Sequence, residues 1–96
     1  MLSAKELDVT LRAEGALPHP SLVRYAGREV VWTGTVSAAG PVNDLLRVEL
    51  KDPDGIRIVA WCDAGREVST GAGVTIRGYL ASRISSGFVL ERCTVL

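Results

Sequence analysis

Residues 30–36 constrain the fold more than any other part of the chain, because they alternate like a strand and carry a glycine on the apolar side. One register of this segment holds Val30, Trp32, Gly34 and Val36, and valine and threonine fill the other. This period of two is typical of a strand with one buried face. A glycine inside such a strand marks a bend or a close backbone approach, and strands that close into a small barrel need that device. The segment therefore predicts a strand of a small β-barrel.

Four further segments show the same alternation, so the sequence predicts five strands. These segments are residues 46–51, 56–62, 74–80 and 88–96. Residues 74–80 repeat a glycine, Gly78, on the apolar register. We expect a bulge in the last strand near Glu91 and Arg92. The positions expected to face the core are Val30, Trp32, Val36, Val48, Leu50, Ile58, Val74, Ile76, Leu80 and Leu90.

The predicted connections are short and rich in turn-forming residues. They are residues 37–44, 52–55, 63–73 and 83–87. The second of them, Asp52-Pro53-Asp54-Gly55, is a strong hairpin turn, because proline sets φ and glycine supplies a positive φ. Five strands at this spacing predict a mainly β chain that forms a five-stranded OB-type Greek-key barrel. An SH3-like barrel or an open meander is the alternative.

A short helix is predicted in front of the barrel, at about residues 4–14. Ser3 and Glu6 form a capping box, Leu7 and Leu11 form a narrow apolar stripe, and Gly15 is a natural stop. This helix is expected either to cover one end of the barrel or to pack on a partner. Residues 18–20 (Pro-His-Pro) predict an extended linker, with the only histidine in a loop. We assign residues 1–27 as a helical lead-in and residues 28–96 as the barrel of one domain.

Composition limits the class of protein. Apolar residues make up 47% of the chain and the mean hydropathy is +0.21, so the chain is expected to fold. There is no apolar run of the roughly 20 residues that span a bilayer, and the N-terminal residues lack the order of a signal peptide. A cytoplasmic protein that does not enter membranes is expected. Eleven basic residues balance eleven acidic ones, so no global electrostatic attraction to nucleic acid exists.

Two residue types carry further information. Nine of the basic residues are arginine, which suits phosphate contacts and base stacking, although genomic base composition explains the bias equally. Cys62 and Cys93 are the only cysteines, which excludes a zinc site built on cysteine pairs. We expect two buried reduced thiols, and a disulfide between them requires that their strands end side by side. No metal site, cofactor or catalytic group is expected.

The glycines and core residues of these strands form a pattern over most of the chain: Val30, Trp32, Gly34, Val36, Val48, Leu50, Lys51, Asp52, Gly55, Ile56, Gly73, Val74, Ile76 and Gly78. This pattern resembles the anticodon-binding type of OB fold, and among its members the N-terminal nucleic-acid-binding domain of the exonuclease VII large subunit. That domain also begins with a short helix similar to residues 2–7. The resemblance implies an OB barrel that binds single-stranded nucleic acid.

In OB barrels, oligonucleotides lie across strands two and three. The outward positions expected there are Arg47, Glu49, Lys51, Arg57, Val59 and Trp61. Trp61 beside Arg57 is a candidate platform for base stacking, unless the N-terminal helix or a loop covers it. Arg77 and Tyr79 on the fourth strand are expected to extend this track toward Arg83.

Two functions are compatible with these observations. The first is a non-catalytic module that binds single-stranded DNA or RNA through Arg47, Lys51, Arg57, Trp61, Arg77, Tyr79 and Arg83. The second is a protein-interaction or self-associating barrel, which zero net charge and only five aromatic residues favour. A second copy is expected to cover the edge or the end of the terminal strand, because residues 94–96 end it without a polar tail.

Overall fold

The computed structural model describes residues 3–13, 25–63 and 67–96. Within them the chain forms one helix and five strands: α1 (Ala4–Ala13), β1 (Glu29–Val42), β2 (Leu45–Lys51), β3 (Arg57–Asp63), β4 (Gly73–Ile84) and β5 (Gly87–Val95). The predicted helix stop at Gly15, the linker at residues 18–20 and the loop position of His19 lie outside the described residues.

The five strands close into a barrel in the order β1-β2-β3-β5-β4. All neighbours are antiparallel except β3 and β5, which run parallel. β1 pairs with β4 from Glu29 to Thr35 and with β2 from Thr35 to Val42. The prediction of a five-stranded OB-type barrel with a short N-terminal helix is confirmed, and the open-meander alternative is wrong.

Gly34 lies next to the point where β1 passes from one partner to the other, and it permits a close backbone approach there. A Cβ on Gly34 would lie 2.5 Å from the Lys51 carbonyl oxygen and 2.8 Å from Leu50 Cδ1. Gly78 occupies a similar position on β4, where a Cβ would run into the Cys93 sulfur. Both glycines are buried, so their predicted place on the inward register is confirmed.

Two predicted loops are longer than the turns in the structure, because the strands beside them continue. β1 runs through residues 37–42 and reaches β2 through a turn of two residues, Asn43 and Asp44, in which Asn43 has a φ of 54°. The residues of this extension are small and mostly exposed on both faces, so they show no apolar alternation. The loop expected at residues 83–87 likewise shrinks to Ser85 and Ser86. The turn at 52–55 is confirmed, since Gly55 has a φ of 82° and Asp52 Oδ1 accepts hydrogen bonds from the N–H groups of Asp54 and Ile56.

The core lies inside the barrel and extends to α1. Every position predicted to face inward is buried except Val74, which is half-buried and packs against the core. The buried face of α1 is Ala4, Leu7 and Leu11. The helix therefore packs on the barrel, which was one of the two predicted roles. Ser3 Oγ caps the helix by accepting a hydrogen bond from the Glu6 N–H at 3.0 Å. No helix within the described residues has the length and apolarity needed to cross a membrane.

β5 corrects one expectation and confirms another. It lies between β3 and β4 and is hydrogen-bonded to both, so the expectation that a second copy covers its edge is wrong, whereas coverage of its end stays a prediction. The bulge predicted near Glu91 and Arg92 is present, because the register with β4 shifts there and Arg92 adopts a φ of 51°.

Candidate functional site

The outer face of β2 and β3, called here the β2–β3 face, consists of Arg47, Glu49, Lys51, Arg57, Val59 and Trp61. Arg47 stands opposite Trp61, Glu49 opposite Val59, and Lys51 opposite Arg57. All of these except Val59 are half-buried or exposed. Val59 is only 5% exposed. It lies outside the core cluster, and its register neighbours Glu49 and Val89 flank it on both sides. Val59 therefore lies on the outer face, as predicted, but its neighbours on β2 and β5 bury it there.

Trp61 is half-buried and has Arg47 as its cationic neighbour. The Arg47 guanidinium carbon lies 6.0 Å from the centre of the Trp61 ring, at the limit of a cation–π contact. We expected Arg57 in that position. Arg57 lies four residues away along the same strand, about 13 Å at the rise of an extended chain, whereas Arg47 is directly across the sheet.

Glu49 forms ion pairs with both arginines of this face. Arg57 donates to Glu49 Oε1 through its Nε and its terminal nitrogen, and Arg47 Nη2 lies 3.7 Å from the same oxygen. The Glu49 side chain is 18% exposed, whereas those of Arg47 and Arg57 are 35% and 39% exposed. One carboxylate therefore orders two guanidinium groups and leaves both in reach of solvent. With Lys51, three cations oppose one anion, so the β2–β3 face carries a net positive charge.

The outer face of β4 holds a second, separate group of residues. β5 lies between β3 and β4, so Arg77 and Tyr79 are not on the β2–β3 face and do not continue it. Arg77 is exposed. The ring of Tyr79 is covered by Arg92, whose guanidinium carbon lies 4.3 Å from the ring centre.

Arg83 contacts the helix rather than either outer face. Its Nη2 donates to Asp8 Oδ1 at 2.8 Å, and its side chain is only 9% exposed. Asp8 also accepts a hydrogen bond from Arg12 at 2.9 Å on the helix surface. Arg83 therefore fastens α1 to the end of β4, and a ligand on the β2–β3 face does not need it.

Sequence reasoning missed the tip of the β1–β2 hairpin. Val42 and Leu45 stand opposite each other there, and they are 40% and 41% exposed. Leu45 is also opposite Asp63 of β3, so this pair extends the β2–β3 face by one row beyond Arg47 and Trp61. This pair was missed because residues 37–44 were predicted as a loop. Arg92 was missed as well. The predicted bulge was the available signal, because a bulge can turn a side chain outward.

Neither a protein-family model nor a curated protein matches the sequence. Among the described residues, no group of three or more histidine, cysteine, aspartate or glutamate side chains is placed to hold a metal ion. The chain is thus an OB-type barrel with an aromatic and cationic β2–β3 face.

Proposed function

We propose that this protein is a non-catalytic OB-type module that binds single-stranded DNA or RNA across the β2–β3 face. One observation carries the proposal. Trp61 is partly exposed on that face, directly opposite Arg47, with Arg57 and Lys51 two rows further along the same strands. An indole ring beside guanidinium groups is what base stacking with flanking phosphate contacts requires. The resemblance to the N-terminal domain of the exonuclease VII large subunit supports the same function.

The binding is expected to be weak and sensitive to salt. Stacking of one base contributes about 1–3 kcal/mol, and only Trp61 offers a ring on this face. Glu49 already neutralises part of the charge of Arg47 and Arg57, so few phosphates are engaged. Each phosphate that is engaged adds about −0.7 to the slope of log affinity against log salt for a single strand. We therefore expect a Kd in the micromolar range at best.

Duplex is expected to bind less well than a single strand. The bases of a duplex are stacked on one another, and a ring fixed on the surface of a barrel has no unstacked base to contact. Single strands present their bases freely, which is why aromatic platforms favour them.

The second candidate is a protein-interaction barrel, and the hairpin tip favours it. Val42 and Leu45 form an exposed apolar pair next to Trp61 and Arg47. Exposed aliphatic pairs beside an aromatic ring and an arginine occur in protein interfaces. The two candidates use overlapping surfaces but differ in ligand, so a titration with oligonucleotide separates them.

The test is a titration of tryptophan emission with an oligonucleotide of about 10–15 nucleotides at low salt, within the usual site sizes of OB folds. Trp32 is only 4% exposed, so quenching reports on Trp61. Anisotropy of a labelled oligonucleotide then measures the variants. Trp61→Ala is expected to weaken binding about 5- to 150-fold, and Arg47→Ala to weaken it and lower the salt slope by about one unit at most.

Arg77→Ala is the matched control, since Arg77 is an exposed strand arginine on the far side of β5. It is expected to leave the affinity within about twofold of the wild-type value, because only long-range charge is lost. Absence of quenching at high micromolar oligonucleotide would contradict nucleic-acid binding and favour the protein-interaction barrel. Equal losses in Arg47→Ala and Arg77→Ala would place the binding on another surface.

A further inference from the structure

Two cysteine thiols are buried together between β3 and β5, and nucleic-acid binding makes no use of them. Cys62 and Cys93 are register partners across this parallel pair. Both are reduced, at most 1% exposed, and members of the core cluster. The condition stated from the sequence, that their strands must end side by side, is therefore met.

The backbone geometry suits a covalent bond between them. Neighbouring strands lie about 4.7–4.9 Å apart, which falls within the Cα separation of about 4.4–6.8 Å that a disulfide spans. The Cys93 sulfur is also confined on its other side. The place that a Cβ on Gly78 of β4 would take is next to this sulfur, so the sulfur fills the space that the glycine leaves.

The two thiols differ in their readiness to ionise. Cys93 donates its S–H to the Cys62 sulfur, and this hydrogen bond lowers the pKa of Cys62. The same hydrogen bond, together with burial, raises the pKa of Cys93. Cys62 is thus the better nucleophile of the two, because the thiolate and not the thiol attacks an oxidant. Cys93 is the thiol placed to react with an oxidised Cys62, because the two residues are register partners.

We propose that Cys62 and Cys93 form an intramolecular disulfide when the folded protein meets hydrogen peroxide. The Cys62 thiolate attacks one peroxide oxygen, the O–O bond breaks, and the other oxygen leaves as water after taking a proton. The product is a sulfenic acid on Cys62. Cys93 then gives up its proton and attacks the Cys62 sulfur, the S–O bond breaks, and a second water leaves. The two thiols lose two electrons in total, and one peroxide is reduced to two waters.

This bond would lie next to both outer surfaces described above, because each cysteine directly follows a residue of one of these surfaces in the chain. Cys62 comes directly after Trp61, and Cys93 directly after Arg92, which covers Tyr79. The disulfide would join β3 covalently to β5 and enclose the whole of β4 in the loop between them. It would also restrict the unfolded chain, so the oxidised protein is expected to melt at a higher temperature.

The test treats the full chain with hydrogen peroxide, removes the excess with catalase, unfolds the protein in urea and alkylates it with N-ethylmaleimide. Intact mass spectrometry is expected to show a monomer that has lost two hydrogens and carries no maleimide. A peptide map is expected to show one cross-linked species that contains Cys62 and Cys93 and separates on reduction. Cys93→Ala is the control variant, in which dimedone should trap a sulfenic acid on Cys62.

Three results would overturn the proposal. The first is a protein that still takes up two maleimides after a peroxide dose that oxidises the urea-unfolded chain. The second is a cross-link that forms faster in urea than in the folded protein, because the folded geometry would then play no part. The third is a disulfide between two chains. The wild-type measurements decide among these without any variant, so a folding defect of Cys93→Ala does not affect the outcome.

Discussion

Gly34→Ala tests whether the barrel depends on a close backbone approach in the middle of β1. The added Cβ would lie 2.5 Å from the Lys51 carbonyl oxygen, 2.8 Å from Leu50 Cδ1 and 2.9 Å from the Lys51 carbonyl carbon. Two of these three atoms belong to backbone. They cannot move aside without disturbing the pairing of Thr35 with Lys51. The substitution is therefore expected to shift a strand rather than a side chain.

The magnitude follows from the usual cost of overpacking. One extra carbon in a packed interior costs about 1–3 kcal/mol, and the involvement of backbone places this case at the upper end, about 3 kcal/mol. For a domain of this size, 1 kcal/mol corresponds to about 4–8 °C in Tm. The Tm of Gly34→Ala is therefore expected to fall by roughly 12–24 °C. The Tm of Gly34→Val should fall further, because valine adds two more methyl groups in the same space.

Gly40→Ala is the matched control, since it makes the same change in the same strand. A Cβ on Gly40 meets no atom within 4 Å. There, loss of glycine freedom in the unfolded chain is expected to stabilise the protein by about 0.4–1 kcal/mol. Urea denaturation followed by circular dichroism measures both variants. If their free energies of unfolding agree within about 0.5 kcal/mol, which is the scale of ordinary surface substitutions, the close approach is not what makes Gly34 necessary.

Two further predictions concern the contact between α1 and Arg83 and the edge of β1 beyond Ser37. Asp8→Ala leaves the nearly buried Arg83 without its partner and is expected to lower the free energy of unfolding by about 2–3 kcal/mol, somewhat less than for a fully buried charge. Arg12→Ala removes only the exposed partner of Asp8 and should lower it by less than about 0.5 kcal/mol in the same urea assay. Equal losses in the two variants would show that the ion pair of Arg83 does not hold α1 on the barrel. Among the described residues, 38–42 pair with β2 alone, and Pro41 removes a backbone donor from that edge. Pro41→Val restores the donor and should cause concentration-dependent self-association in sedimentation velocity, whereas an unchanged monomer would mean that the edge is shielded in another way.

Among the strands, the segments that the sequence predicted are those in which one face is buried. Residues 30–36 and 74–80 alternate because their inward side chains enter the core, and the glycines among them are required by close contacts inside the barrel. Residues 37–42 belong to the same strand as the first segment but are mostly exposed on both faces. No physical pressure selects an apolar register there, so the sequence looks like a loop.

The candidate site was harder to predict, because its contacts depend on register and strand order. Trp61 was found from its outward position alone. Arg47 was also predicted as a binding residue, but its place beside Trp61 was not, since only the pairing of β2 with β3 shows which arginine stands opposite. The insertion of β5 between β3 and β4 separates Arg77 from Trp61. Arg83 and Asp8 are 75 positions apart in the chain, so no local sequence pattern predicts their contact.

The strand order also predicts how the chain reaches this structure. The β1–β2, β2–β3 and β4–β5 pairs each join strands that follow one another in the chain, so they can form as hairpins within about 1–10 μs. The β1–β4 and β3–β5 pairs join the first three strands to the last two, and they must wait until the connection between β3 and β4 closes. Gly34 lies in the first of these late pairs and the two cysteines in the second. We therefore expect docking of two preformed hairpin units to limit the refolding rate, which stopped-flow measurements on substitutions at these two pairs would show as slower folding.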